Sequence, residues 1–340
     1  MSIVRSKFPN HLLVLANTKH FFGEMQTPDN PWKVVRSFDC DGVATIYITS
    51  IGTFGFIFPD SSDLASIDIL KCVGSGIVPK EVIDNENDIH ELQEKRMLFI
   101  NFVSAAFFGR VSAKAHASLI GALYNGQDKV TTFTVINDVV DIQWTEIFNQ
   151  AIGEKINAFN MGKLRHHFLK EADIDDAISY IQHLLQRQHD FEYADLKSCM
   201  VMNYQAAILH NEQHPAASFA INFSVIESLA REIFIAYGLV NGSVVKSFAK
   251  KQHNIARVSR KTFNGMISYE VFKTLHNASL LNDYLYQRLE GARKKRNNLM
   301  HKGVTVSSKD SGDCQPLVRD LWELLVDTPF ELNAPWSYRR

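Results

Sequence analysis

Six consecutive residues near the end of the sequence, Arg296 to His301, combine side chains that suit phosphodiester chemistry. The guanidinium of Arg296 is charged at any pH and presents a planar fork of donors to a phosphate. The imidazole of His301 has an unperturbed pKa near neutrality, so it can accept or donate a proton there. RNA carries its own nucleophile, the 2′-hydroxyl. One cation and one proton carrier therefore predict RNA cleavage with no metal and no other cofactor.

The spacing of these residues limits how one helix can use them. An ideal α-helix turns ~100° per residue, so Asn297 and His301, which are four apart, share one side. Arg296 and His301 are five apart and lie roughly 140° from each other around a straight helix. Either the helix is distorted, or it ends before His301, or the site borrows residues from a second subunit. We favour the second subunit, because a two-fold dimer brings two copies of the stretch together.

Further cations flank this stretch: Arg293, Lys294, Lys295 and Lys302. Between residues 243 and 302 the sequence has thirteen Lys and Arg but three acids, a local charge of +10 in a chain whose net charge is −1. Such a concentration attracts polyanions and makes their binding salt-dependent, although a solvated helix surface would have the same composition. The four flanking cations are candidates for contacts to a nucleic-acid backbone.

The pattern Arg-Asn-x-x-x-His with Gly303 soon after, late in an all-helical region, resembles the Arg-x(4–6)-His motif of the HEPN domain. It is most similar to the Apea-like branch found in prokaryotic defence proteins. The resemblance covers residues 193–328. It also implies a hydrophobic helix about seventy residues upstream of the motif, here 219–236, and a last helix after it, here 315–326.

This resemblance implies a homodimeric endoribonuclease that cuts single-stranded RNA or tRNA in phage defence, abortive infection or a toxin–antitoxin system. A further partner would be an antitoxin or a phage-derived trigger. Arg296 would bind the scissile phosphate, His301 would carry the proton, and Asn297 would position the phosphate or the 2′-hydroxyl. Some members of the family are inactive and bind nucleotides or proteins instead, so a binding module is the alternative.

Two other sets of polar residues have types and spacings that could contribute to a site. Glu227 lies beside an apolar helical stripe, where it could support the site by pairing with Arg296 or orienting His301, or could instead bond to Arg231 at i+4. His210 and His214 are four apart, a spacing that can hold a metal. Glu does not follow the first of them, however, and Pro215 suits the first turn of the next helix, so we expect no metal there.

Composition favours two domains, because 340 residues are many for one core. Four cysteines without paired spacing indicate reduced thiols and a cytoplasmic protein. No secretion signal is recognisable at the N-terminus. The longest apolar run, 97–108, falls short of the ~20 residues that a membrane span needs and predicts a buried core helix.

The element pattern predicts an α+β domain over residues 1–170, whose role is sensing or partner binding, and an all-α helical bundle over residues 171–332. Strands are expected at 11–15, 33–35, 43–50, 54–58 and 66–73 and across 129–144, with Asp41-Gly42 as a hairpin turn. Helices are expected at 88–108, 113–124, 146–161 and 174–188, the last capped by Asp173. The bundle continues with helices from residue 193 and at 216–237, 243–252, 269–275, 280–300 and 317–325. Loops are expected at 74–76 and 303–312, a turn at 264–265, and a loosely ordered tail at 333–340.

Overall fold

The computed structural model describes residues 11–15, 20–22, 32–59, 86–115, 130–143, 167–242 and 257–327. The chain forms two compact units. One contains Met1–Phe107 and Gly121–Gln182, and the other contains Phe108–Ile120 and His183–Arg340. The first unit combines strands with helix, and the second is helical throughout its described residues. An α+β region followed by an all-α region is therefore what the structure has.

The first unit contains a six-stranded antiparallel sheet in the order β3-β4-β5-β1-β6-β7, and a parallel pair formed by β2 and β8. The strands are β1 (His11–Leu15), β2 (His20–Phe22), β3 (Val34–Cys40), β4 (Ala44–Thr49), β5 (Thr53–Ile57), β6 (Val130–Ile136), β7 (Val139–Gln143) and β8 (His167–Leu169).

Tight turns connect two of the strand pairs. Asp41 and Gly42, between β3 and β4, have φ of 53° and 69°, which confirms the predicted hairpin turn. Asn137 and Asp138, with φ of 51° and 59°, separate β6 from β7. This is the positive-φ geometry that matches the twist of a two-residue hairpin, and Asn and Asp tolerate it best after Gly.

Phenylalanines form the core beneath the sheet. Helix α1 (Glu86–Ala115) presents Phe99 and Phe107 to the sheet, with ring centroids 6.3 Å from Phe56 and 5.1 Å from Phe54 respectively. The run predicted to be a buried core helix is confirmed, since its residues from 99 to 108 are buried. The same helix continues to Ala115, so the predicted break before residue 113 is wrong.

Helix α2 (Glu171–Gln188) follows β8, and an ion pair ties its start to the sheet. Arg36 of β3 donates to Glu171 at 2.6 Å and to Asp175 at 2.7 Å. The helix begins two residues before Asp173, which therefore lies in the first turn and is not the cap. Its carboxylate still complements the positive end of the helix dipole there.

The second unit is a bundle built around one hydrophobic helix, α4 (Pro215–Ala236). Pro215 lies at its first turn, as predicted. The other described helices of the bundle are α3 (Leu196–Asn211), α5 (Arg260–Gly265), α6 (Ser268–Asn277), α7 (Asp283–Lys302), α8 (Ser308–Gly312) and α9 (Cys314–Val326). Helix α4 packs against all of them, and it meets α5 through Phe234, whose ring centroid lies 5.3 Å from that of Phe263.

Several boundaries in the bundle differ from the expectations. Helix α7 begins at Asp283 and not at residue 280, because the Asn282 side chain accepts the Leu285 N–H at 2.8 Å and caps it. The predicted loop 303–312 contains α8, whose start is held by a capping box between Ser307 and Asp310. The expected turn at 264–265 is the end of α5.

Several expectations lie outside the described residues: the strand at 66–73, the loop at 74–76, the helices at 146–161 and 243–252, and the tail at 333–340. Across the part of the chain that is described, no helix has both the length and the apolar character to cross a membrane.

Candidate functional site

The motif lies in the last two turns of α7, which is continuous α-helix through Lys302. Gly303 ends it in the left-handed conformation, with φ of 62°. The N–H of Gly303 donates to Leu299 at 3.1 Å and that of Val304 donates to Asn298 at 3.3 Å, which is a Schellman-type C-cap. The helix therefore neither ends before His301 nor leaves the α-helical pattern between Arg296 and His301.

Arg296 and Asn297 are partly buried and line a pocket of about 340 Å³. We call it the guanidinium pocket. Its lining comes from α4, the start of α6 and α7: Glu227, Arg231, Met266, Ile267, Ser268, Tyr269, Arg293, Arg296 and Asn297. His301 is exposed and is not among the lining residues. One protomer thus brings Arg296 and Asn297 together with Glu227 and Arg293, but does not bring His301 to them.

Two of the three guanidiniums that line the pocket are already bound to protein acceptors. Arg231 donates to the carbonyl oxygens of Phe263, at 3.3 Å, and Met266. Arg293 forms a two-donor ion pair with Glu290, with Nε–Oε1 at 2.9 Å and Nη2–Oε2 at 2.8 Å. The Glu290 hydrogen bond raises the pKa of Arg293. Both guanidiniums are thus fixed parts of the pocket frame.

Arg296 differs from these two arginines. In the described part of the chain, its one hydrogen bond runs to the side-chain oxygen of Asn297 and is long, at 3.4 Å. Its guanidinium also lies 6.0 Å from the centroid of the Phe223 ring. Arg has five N–H donors, so most of those of Arg296 are uncommitted. A partly buried guanidinium with free donors beside an amide is an anion receptor by its chemistry.

Among the described residues, Glu227 bonds to none of the three partners that the sequence suggested, Arg296, His301 and Arg231. Its carboxylate accepts a short hydrogen bond from the hydroxyl of Ser268. Within the described residues it makes no ion pair with Arg231 or with Arg296, because Arg231 is turned toward backbone carbonyls of the α5–α6 segment. Glu227 nevertheless lines the guanidinium pocket, so it is placed to act on whatever binds there.

The remaining predicted cations divide into two kinds. Lys295 forms an ion pair with Asp310, the carboxylate that also caps α8. Lys294 and Lys302 are exposed on α7. Exposed lysines of this kind suit contacts to a flexible phosphate backbone, while the ion pair partly neutralises Lys295.

The two histidines whose spacing could suit a metal lie at the junction of α3 and α4, and His210 is hydrogen-bonded within the bundle. Nδ1 of His210 lies 3.0 Å from the Ser311 hydroxyl, which in turn donates to Ser218 at 2.8 Å. Burial lowers the pKa of His210. His214 is the residue before Pro215 at the start of α4. Among the residues that the structure describes, no group of three or more His, Cys, Asp or Glu is arranged to hold a metal ion.

Four residues of the pocket, 266–269, were not identified from the sequence. They comprise the two residues that join α5 to α6 and the first two residues of α6, in the stretch with the least recognisable pattern. Glu270, three residues after the cap position, is the signal of a helix start there. No spacing rule, however, shows that this start faces Arg296, which lies 28 residues after Ser268 in the chain.

Comparison with known proteins returned no similarity for this chain: no protein-family model, no curated protein and no solved structure gives a significant match.

Proposed function

We propose that the helical unit is a metal-independent endoribonuclease of the HEPN type that cuts RNA by attack of the 2′-hydroxyl. The observation that supports this is the state of Arg296: it is the guanidinium of the pocket whose donors are uncommitted, and it lies beside Asn297. The other two arginines hold the pocket in shape. The site is therefore preorganised around a place for one phosphate.

In the proposed reaction the 2′-oxygen bonds to phosphorus and the bond from phosphorus to the 5′-oxygen breaks, which leaves a 2′,3′-cyclic phosphate. The 2′-hydroxyl proton passes to an imidazole, and the departing 5′-oxygen takes a proton from the imidazolium so formed. Arg296 stabilises the charge that develops on the non-bridging oxygens. Asn297 orients the phosphate or the 2′-hydroxyl, and Glu227 supports the pocket from the opposite helix.

The proton carrier is His301 of a second copy of the chain. On the continuous helix α7, His301 lies roughly 140° around the axis from Arg296, outside the guanidinium pocket. A two-fold dimer with α7 at its interface places each His301 over the pocket of the other copy. Lys294 and Lys302, which are exposed on the same helix, then bind the RNA backbone on either side, with Arg293 and Lys295 adding to the local positive potential.

The resemblance to HEPN proteins extends the proposal to biology. The protein acts in the cytoplasm in phage defence, abortive infection or a toxin–antitoxin pair, with tRNA as a possible substrate and an antitoxin or a phage-derived trigger as its regulator. The sheet-containing unit then senses that trigger or binds that partner. Induced expression of the intact chain should arrest bacterial growth, and His301→Ala should relieve the arrest.

The direct test is a cleavage assay with the full chain, labelled single-stranded RNA and an excess of chelator. The expected products end in a 2′,3′-cyclic phosphate, and a matching DNA oligonucleotide stays intact because it lacks the nucleophile. Cleavage of the DNA, or products with a free 3′-hydroxyl, would exclude attack by the 2′-hydroxyl.

A second function is favoured by one observation, the absence of His301 from the pocket lining. A pocket of about 340 Å³ with a cation, an amide and a tyrosine would also suit an inactive nucleotide-binding module. Calorimetry with nucleoside monophosphates separates the two functions: the module binds them at micromolar concentration and the chain leaves RNA uncut.

A further inference from the structure

One wall of the guanidinium pocket is a short segment, residues 266–269, which we call the pocket wall. Its backbone is fixed at two successive residues. The carbonyl oxygen of Met266 accepts a hydrogen bond from Arg231 at 2.5 Å. The N–H of Ile267 donates to the Glu270 carboxylate at 2.9 Å. The path of the wall is therefore set before any ligand arrives.

The next two residues of the wall are fixed through their side chains. The hydroxyl of Ser268 donates to Glu227, and the ring of Tyr269 lies 5.3 Å from the guanidinium of Arg293. Each of these side chains is therefore committed to a neighbour. By contrast, Ile267 lines the pocket but remains 61% exposed to solvent.

Ile267 is also an unusual residue for its place in the backbone. It is the N-cap of α6, with φ −83° and ψ 163°, and makes no side-chain cap hydrogen bond. Ser, Thr, Asp and Asn are strongly preferred at this position, because their oxygens accept a free N–H of the first turn. With isoleucine at this position, the first turn of α6 has no side-chain cap, and apolar surface remains in contact with water. Local rules of this kind are broken mostly at functional sites.

We propose that Ile267 is the contact surface for an unpaired nucleobase whose adjoining phosphate is held by Arg296 and Asn297. This inference rests on the proposed function and names the feature by which the site selects its substrate. The pocket, at about 340 Å³, falls at the lower end of the size range of small-ligand sites, ~300–1,000 Å³. It therefore receives one nucleotide. A base within a duplex is stacked and paired, so its face is closed to Ile267.

The chemistry of the two walls distinguishes this ligand from simpler anions. The α7 side offers a guanidinium and an amide, while the other wall offers an apolar side chain on a backbone held by hydrogen bonds. Inorganic phosphate has nothing to bury against the second wall. A nucleotide has both a charged group and a flat apolar face, and a preorganised surface binds it without the entropy loss of ordering a loop.

The test compares two oligonucleotides on the full-length protein. Both are short single-stranded 2′-O-methyl RNAs, which lack the nucleophile and stay intact, and one of them is abasic at its central positions. Fluorescence anisotropy of the wild-type chain should show roughly tenfold tighter binding of the base-containing strand, from burial of part of the Ile267 side chain. Equal affinities for the two strands would overturn the base subsite.

The decisive variant is Ile267→Asn, because asparagine is a preferred N-cap. It should remove the difference between the two strands, leave the abasic affinity unchanged and leave the melting temperature the same or higher. Ile267→Leu should retain the difference. A variant that still prefers the base-containing strand, or loses affinity for both strands together with a lower melting temperature, would overturn the assignment.

Arg296→Gln separates this inference from the proposed function. If that variant binds both strands as tightly as wild type, the phosphate site itself is wrong. If it binds both strands less tightly while wild type does not distinguish them, the phosphate site stands and the nucleobase subsite alone fails.

Discussion

The two ends of the motif occupy different environments on one helix. Arg296 and Asn297 are partly buried and line the guanidinium pocket, whereas His301, one turn further along, is exposed and lies outside it. Nothing in the local backbone causes this difference, because α7 is regular up to its Gly303 cap. Position along the helix axis causes it: Arg293, Asn297 and His301 follow one another at four-residue spacing on one side of α7, and the pocket lining ends with Asn297. In the proposed function, phosphate binding and proton transfer therefore fall to different turns of α7.

The largest effect expected from this separation is on cleavage by His301→Ala. Loss of a general acid–base group lowers a rate by roughly 10²–10⁴, while RNA affinity should stay within about twofold because His301 is outside the pocket. Single-turnover cleavage and anisotropy measure the two quantities. His214→Ala is the matched control, since His214 is also exposed and its side chain forms no cap hydrogen bond. A parallel loss of affinity in His301→Ala would remove the separation.

The next effect concerns the arginines of the pocket. Arg296→Gln should weaken RNA binding by roughly 10- to 100-fold, since hydrogen bonds to charged groups contribute ~1.5–3 kcal/mol. Arg293→Gln should weaken it less, because Glu290 already occupies that guanidinium. Titration calorimetry with a non-cleavable RNA measures both. If the two variants lose the same affinity, the distinction between bound and free guanidiniums is wrong.

A smaller effect is expected on the salt dependence of RNA binding, where free and ion-paired lysines of α7 should differ as the free and bound arginines do. Lys294→Gln should reduce the slope of log affinity against log salt by about 0.7, the value for one phosphate contact on a single strand. Lys295→Gln should reduce it less, because Lys295 is paired with Asp310. Binding isotherms at several salt concentrations give both slopes. Equal changes would mean that the ion pair opens when RNA binds.

The smallest expected effect is on the pH dependence of stability, which involves His210 and not the motif. Burial lowers the pKa of His210 below its ordinary 6.5, so the unfolded chain binds this proton at a higher pH than the folded chain does. Its contribution to stability is complete above pH 6.5 and is lost as pH falls toward the lowered pKa. The urea midpoint of wild type should drop between about pH 7.5 and about pH 5.5, and that of His210→Gln should drop less. An equal drop of the urea midpoint in His210→Gln would show that other groups cause it.

Local patterns were enough to predict much of this fold. Strand β1 has the predicted limits, the Asp41-Gly42 turn has the positive φ that it requires, and helices α3, α4, α6, α7 and α9 begin and end within a few residues of their expected positions. Helices α5 and α8 were not predicted as helices. The angle between Arg296 and His301 was also predictable, because it depends only on the helical repeat. Each of these features is decided by residues close together in the chain.

The site required distant residues and was only half predictable. Ser268, the partner of Glu227, is 41 positions away from it, and the pocket wall lies opposite α7 through packing that no spacing rule reports. The sequence assigned Arg296 to the scissile phosphate and Arg293 to the nucleic-acid backbone, but it named Arg231 only as a partner for Glu227 and did not place it in the pocket. The carbonyl acceptors of Arg231 become visible only when the helices are packed together, whereas Glu290, the partner of Arg293, lies three residues before it on the same helix.

The most direct measurement mixes two inactive variants, Arg296→Ala and His301→Ala, after joint unfolding and refolding. If each site takes its guanidinium from one copy and its imidazole from the other, a mixed dimer has one intact site. An equal mixture should then regain about a quarter of wild-type cleavage, because half of the dimers are mixed and each has one working site of two. Cleavage by the mixture no greater than that of the separate variants would contradict a site shared between two copies of α7.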